Sequence, residues 1–199
     1  MKTILIPLFI ILMFSNLKTQ SYVQNLDKPT IYIIPLGHVN PKSVAIAKKS
    51  LEEFYHYECK VLKENKLSKD LLSKSGARYD ARKILKKYSS TKNILILTEK
   101  DIITKHRGVD EWGVLGLGLR PGKVCVVSTF RMKKNGNQNK FEDRLTKVSI
   151  HEVGHNLGLS HCKNHSKCLM NDANGTVKKI DSEKVWMCNK CSKQIGLKN

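Results

Sequence analysis

The spacing of apolar residues changes several times along the chain, and each change marks an element. Residues 30–34 (TIYII) form a short run of β-branched and aromatic residues that stops at Pro35-Leu36-Gly37, which reads as a strand. Pro41 suits the first turn of a helix, and Val44, Ala47, Leu51, Phe54 and Tyr55 then recur at helical spacing. Residues 59–62 read as a second strand. Residues 80–88, carrying Ile84, Leu85 and Tyr88, read as a second helix. Residues 93–97 (NILIL) are apolar on both faces, the pattern of a buried central strand. Residues 112–119 and 123–128 are two further runs, and the break at Arg120-Pro121-Gly122 predicts a hairpin-like pair. Residues 133–140 (KKNGNQNK) read as a polar loop, after which Phe141 opens a helix. Past Gly158 little periodicity remains. The order predicts an α+β fold with a mixed sheet and a smaller C-terminal lobe.

The 199 residues suffice for one domain with a real core, and 40% hydrophobic with 27% charged residues is ordinary for a globular chain. The N-terminus stands apart. Met1-Lys2 precedes an apolar run over residues 3–14, too short to span a bilayer, and residues 15–21 are small and polar. We read residues 1–21 as a secretory signal peptide and residues 22–199 as the working domain. An uncleaved membrane anchor is the alternative, because Lys18 flanks a weak cleavage pattern. The expected location is therefore the periplasm or the cell exterior.

Charge changes the picture less than its size suggests. The formal net charge is +19, but only six of the 36 basic residues are arginines, the side chain that reads bases and phosphates in a directed way. A lysine-coated, solvated surface is the simpler reading, and no specific nucleic-acid partner is expected. No stable membrane insertion is expected after leader removal, and the working unit is expected to be a monomer.

The chemistry sits in residues 151–161, HEVGHNLGLSH. His151 and His155, four apart, share one helix face, so both imidazoles can reach one metal ion. Glu152 does not point straight at that metal but can take a proton from a water beside it. Gly158 can adopt positive φ and end the helix, which lets the chain turn back and present His161 as a third ligand. Three protein ligands leave a position open for water or a substrate carbonyl, the layout of a catalytic zinc site. A polar helix with incidental histidines is the competing view, and the added Gly158 and His161 weigh against it. His165 is a further candidate by proximity.

Four of the six cysteines, Cys162, Cys168, Cys188 and Cys191, fall in the last 38 residues, and the last two form C-x-x-C. This spacing suits a closed thiolate zinc site that staples a tail poor in apolar residues. In an exported chain two disulfides are the alternative. Cys59 and Cys125 are open to being free, paired with each other, or buried in strands.

At these residues the sequence resembles the archaemetzincin family of zinc metallopeptidases, which are metzincin-like zincins. The family pattern is HExxHxxGxxHC, a short spacer, CxM, seventeen residues, then CxxC. It is met by His151-Glu152, His155, Gly158, His161-Cys162, Cys168-Leu169-Met170, and Cys188 with Cys191. The spacer between Cys162 and Cys168 has five residues where the family has four. Residues 98–101 and the glycine-rich run from Trp112 are also similar to the family, more weakly.

The resemblance implies a zincin-like twisted mixed β-sheet with an active-site helix, and two zinc ions per chain. The catalytic zinc is held by His151, His155 and His161, and the structural one by the four tail cysteines. It implies Glu152 as the general base and Met170 in a tight turn under the metal site. No tyrosine follows Tyr88, so none close in sequence to Met170 can stabilise an oxyanion. Zinc-dependent hydrolysis of a peptide or protein substrate is the expected function, with the substrate extended along a sheet edge near residues 112–119. Endopeptidase and aminopeptidase action both stay open. The rivals are a non-catalytic zinc-binding interaction module and a basic nucleic-acid-binding zinc protein.

Overall fold

Alternation along three strands sends their side chains into two different cores. In the computed structural model, which describes residues 28–197, these strands are β1 (Thr30–Pro35), β4 (Asn93–Thr98) and β8 (Val124–Ser128). Ile31, Ile33, Leu95, Leu97, Cys125 and Val127 face one core, while Ile34, Ile94, Ile96, Val124 and Val126 face the other. A strand covered on both faces has no reason to alternate in polarity, which is why NILIL reads as continuously apolar. β1, β4 and β8 run parallel, joined by β2 (Glu58–Val61) beside β1 and by antiparallel β7 (Gly116–Gly118) beside β8. The sheet order is β2-β1-β4-β8-β7, so β7 is an edge.

The first core is closed by α1 (Pro41–Tyr55), α3 (Gln138–Asn156) and the tail. Asn40 caps α1 by accepting from the Lys42 amide at 2.9 Å, and Pro41 occupies the first turn, where its missing N–H costs nothing. Tyr55, at the other end of α1, donates its buried hydroxyl to the Ile150 carbonyl at 2.7 Å, tying α1 to α3. The second core is closed by α2 (Ala81–Lys87), capped by Asp80, which accepts from the Arg82 amide at 2.8 Å.

β3 (Tyr79–Asp80), β5 (Ile102–His106) and β6 (Val109–Val114) make a separate three-stranded sheet of order β3-β5-β6. The glycine-rich run is therefore two strands in two sheets, divided at buried Leu115, whose carbonyl accepts from the Ser128 amide at 2.8 Å. The hairpin-like pair across Arg120-Pro121-Gly122 is β7 with β8. α3 begins at Gln138, three residues before Phe141, because Asn137 caps it by accepting from the Lys140 amide at 3.0 Å. The tail holds two short helices, α4 (Val177–Ser182) and α5 (Asn189–Gln194), that the polarity pattern does not announce.

Arg144, 1% exposed, locks α4 onto α3. It donates to both Asp181 oxygens at 2.7 Å and to the carbonyls of Met132 and Lys134. Among the described residues no helix is long and apolar enough to cross a membrane. The leader expected over residues 1–21 lies outside the described residues. The mixed α/β architecture with a C-terminal cysteine cluster is the one expected from the sequence.

Candidate metal centre and active site

The last two turns of α3 carry His151 and His155 on one face, with ring centroids 4.6 Å apart. Gly158 then takes φ 100°, a conformation that L side chains rarely adopt, and the helix stops. The chain returns so that the His161 ring lies 5.4 Å from His151 and 4.9 Å from His155. Each ring offers one nitrogen to a common point, and the three atoms lie within 4.8 Å of one another.

The other ring nitrogens are fixed. Nδ1 of His151 faces the Leu169 carbonyl at 2.7 Å, and Nδ1 of His155 faces the Leu159 carbonyl at 2.7 Å. A carbonyl only accepts, so Nδ1 of each must carry the proton, and each Nε2 is left with a free lone pair. Nδ1 of His161 has Asp172 Oδ2 at 3.7 Å. Burial lowers the pKa of all three, His151 to about 3 and His155 to about 4, so they are neutral at physiological pH. Three neutral imidazoles with oriented rings and convergent lone pairs suit zinc.

Glu152 lies beneath the edge strand and is 7% exposed. Burial pushes its carboxyl up to about 8, while a hydrogen bond from the Gly118 backbone N–H pulls the other way. The strand leaves room for it only through its glycines. A Cβ at Gly116 would come within 2.6 Å of Glu152 Oε1, and one at Gly118 within 2.7 Å of the Glu152 carbonyl oxygen. Under the same helix, Met170 is fully buried, and its sulfur would lie 2.7 Å from a Cβ at Gly154. The Met170 carbonyl accepts from the Cys162 amide at 2.7 Å, which closes a tight link between the His161–Cys162 corner and the buried methionine.

The tail cysteines also converge. Cys162 and Cys188 Sγ are 3.6 Å apart, Cys188 and Cys191 3.6 Å, and Cys168 and Cys191 3.9 Å. Sulfurs about 2.3 Å from a shared tetrahedral metal lie about 3.8 Å apart, whereas a disulfide needs about 2.05 Å. The four therefore fit a metal and form no disulfides, and all are buried. Cys59 and Cys125 are free and buried in β2 and β8, with two strands between them. His165 joins neither group. Its ring stacks edge-on against Trp186 at 4.8 Å, and its Nδ1 accepts from the Lys167 amide.

Sequence reasoning missed several contributors. The carbonyls of Leu159 and Leu169 have no side-chain signal at all. Asp172 is a carboxylate two residues past Met170 and was findable in principle. Gly116 and Gly118 were visible as glycines, but not as the space for Glu152. A cavity of about 430 Å³ opens over the histidines and extends along α3.

The profile of Peptidase family M54 matches residues 61–197. The archaemetzincin of Pyrococcus abyssi is 33% identical over 83% of this chain and 93% of its own length. A crystal structure of archaemetzincin from Archaeoglobus fulgidus, complexed with malonate, is 32% identical. It covers 83% of this chain and 99% of that one with a TM-score of 0.73. The crystal structure of archaemetzincin from Methanopyrus kandleri, 24% identical over 87% of this chain and 97% of its own, shares the fold with a TM-score of 0.72. With the match covering most of its length, the chain belongs to peptidase family M54, the archaemetzincins, and is a zinc metallopeptidase.

Proposed function

We propose that His151, His155 and His161 hold the catalytic zinc, that Glu152 is the general base, and that Cys162, Cys168, Cys188 and Cys191 hold a second, structural zinc. The observation that carries this reading is the convergence of three imidazoles whose Nδ1 atoms are already engaged, with a buried carboxylate on the next residue.

Zinc bound there would supply the Lewis acidity needed to polarise a substrate carbonyl and acidify a water. The protein supplies the proton transfer and the positioning. Glu152 takes a proton from the attacking water and delivers it to the leaving amine. The Gly118 N–H keeps the carboxylate aimed. The substrate backbone adds as an extended strand to the free edge of β7. Gly158 and the Met170 turn set where His161 points, and a metal held by the four cysteines would brace the same corner through Cys162.

The test is a Glu152→Ala protein with metal content measured on the same sample. Retention of two zincs with a loss of cleavage on the order of 10²–10⁴-fold is expected. Cleavage at the wild-type rate would sink the assignment.

We also propose that the protein is exported, on the strength of Lys2 followed by the apolar run over residues 3–14. Mass spectrometry of the protein's N-terminus in cell fractions tests this. An exported chain starting near residue 22 is the expected result. An intact, membrane-retained chain would instead support the anchor reading.

A further inference from the structure

One carboxylate in the cavity has no task in the chemistry above. Glu183 lines the cavity, is 6% exposed, and its Oε1 is fully buried with no hydrogen-bond partner among the described residues. It follows α4, and its own backbone N–H is satisfied by the Ile180 carbonyl at 3.1 Å. A buried carboxylate oxygen left without a partner costs free energy, and a fold retains one where something else answers it.

The position is informative. Lys147 and Val148 also line this end of the cavity, four and three residues before His151 on the same helix. The pocket therefore runs from the histidines toward the α3 N-terminus by about one turn, roughly 5.4 Å. Ile180 and the stem of Lys147 give it apolar walls. The lysine's charge is already matched, because its Nζ donates to Asp143 Oδ2 at 2.6 Å and to the Ile180 carbonyl at 3.2 Å. Glu183 makes no ion pair of 4 Å or less with any described cation, so its charge is the one left over.

We infer that Glu183 is a specificity-determining residue, and that this pocket takes a lysine or arginine side chain flanking the cleaved bond of a peptide substrate. The stem of such a side chain lies against the apolar walls while its cation pairs with the carboxylate of Glu183, which lines the cavity. Burial holds the empty Glu183 carboxyl at about 7, against the opposing pull of Lys179 and Lys147, and an incoming cation favours its ionised form. A neutral donor such as an asparagine side chain would satisfy the oxygen without answering its charge, so it should bind less well than a cation.

The inference rests on the peptidase reading, and two measurements keep the two apart. In the first, zinc-loaded wild type and Glu183→Gln are titrated by calorimetry with hydroxamate-capped amino acid amides carrying lysine, asparagine, leucine or glutamate. The lysine probe should bind wild type at least tenfold tighter than the others, and Glu183→Gln should bring it to parity with leucine. Equal affinities in wild type, or a lysine preference that survives in Glu183→Gln, overturns the inference. Preference for the asparagine probe overturns it as well. The second measurement is cleavage of a peptide library varied on both sides of the bond. Enrichment of lysine and arginine at one flanking position, lost in Glu183→Gln, supports the inference, and cleavage without that enrichment overturns it. If no peptide is cleaved, the peptidase reading fails, while the binding measurement still decides what the pocket takes.

Discussion

A Cβ on Gly116 would stand 2.6 Å from Oε1 of Glu152, so the edge strand and the proposed base share a space that only a glycine leaves open. The contact runs to Cγ as well, also at 2.6 Å, so the side chain cannot rotate its tip away and keep its place. Gly116→Ala should therefore displace the carboxylate rather than the metal. Displacement of a catalytic group by about 1 Å costs on the order of 10²-fold in rate. We expect kcat/KM to fall by about that factor with zinc content unchanged, measured by steady-state cleavage and metal analysis of one preparation. Wild-type kinetics would show that Glu152 needs no such clearance.

His161 is the most exposed of the three histidines, and Asp172 is the group facing its Nδ1. The other two rings are held by backbone carbonyls, which no substitution removes, so Asp172 is the one orienting partner open to mutation. Losing an orienting partner of a metal-bound histidine typically weakens metal affinity by about 10–100-fold. Asp172→Asn should show that loss in competition with a chromogenic chelator, with the fold intact by circular dichroism. Unchanged affinity would mean the His161 ring is set by its backbone alone.

These groups also mark where the sequence stops being legible. The central strands and α1 are readable because burial on both faces, or on one helical stripe, leaves a direct trace in residue type. HExxHxxGxxH is readable because metal ligation demands particular side chains at particular spacing. Backbone carbonyls at Leu159 and Leu169 leave no such trace. The division of residues 112–119 at Leu115 is hidden because glycine and apolar residues fit either sheet. α4 and α5 are six residues each, too short to show a period, and they are held by Arg144 and by the cysteine corner rather than by an apolar stripe.

Cys162 follows His161 directly, and its amide donates to the Met170 carbonyl, so the two candidate metal sites share one corner of backbone. Cys188→Ser should release one of the four sulfurs and loosen that corner. We expect one zinc equivalent to be lost, thermal unfolding to move to lower temperature, and the remaining zinc to be held more weakly. Full activity with unchanged affinity for the catalytic zinc would count against the coupling.

Glu183 gives a stability signature separate from its role in binding. Its carboxyl is pushed up to about 7 in the fold by burial, against an ordinary value of 4.5, while Lys179 and Lys147 pull it down. Between these two values the unfolded chain has lost the proton and the folded chain still holds it, so stability falls as pH rises through this window. Above about 7 both states are ionised and the penalty is constant, and below about 4.5 both are protonated and it is absent. Glu183→Gln removes the titration, so its melting temperature should exceed that of wild type by a margin that is small at pH 5, grows to pH 7 and then levels off. Because zinc affinity varies with pH in both proteins alike, the difference between them isolates this group. A margin independent of pH would mean that the Glu183 carboxyl is better solvated than its burial indicates.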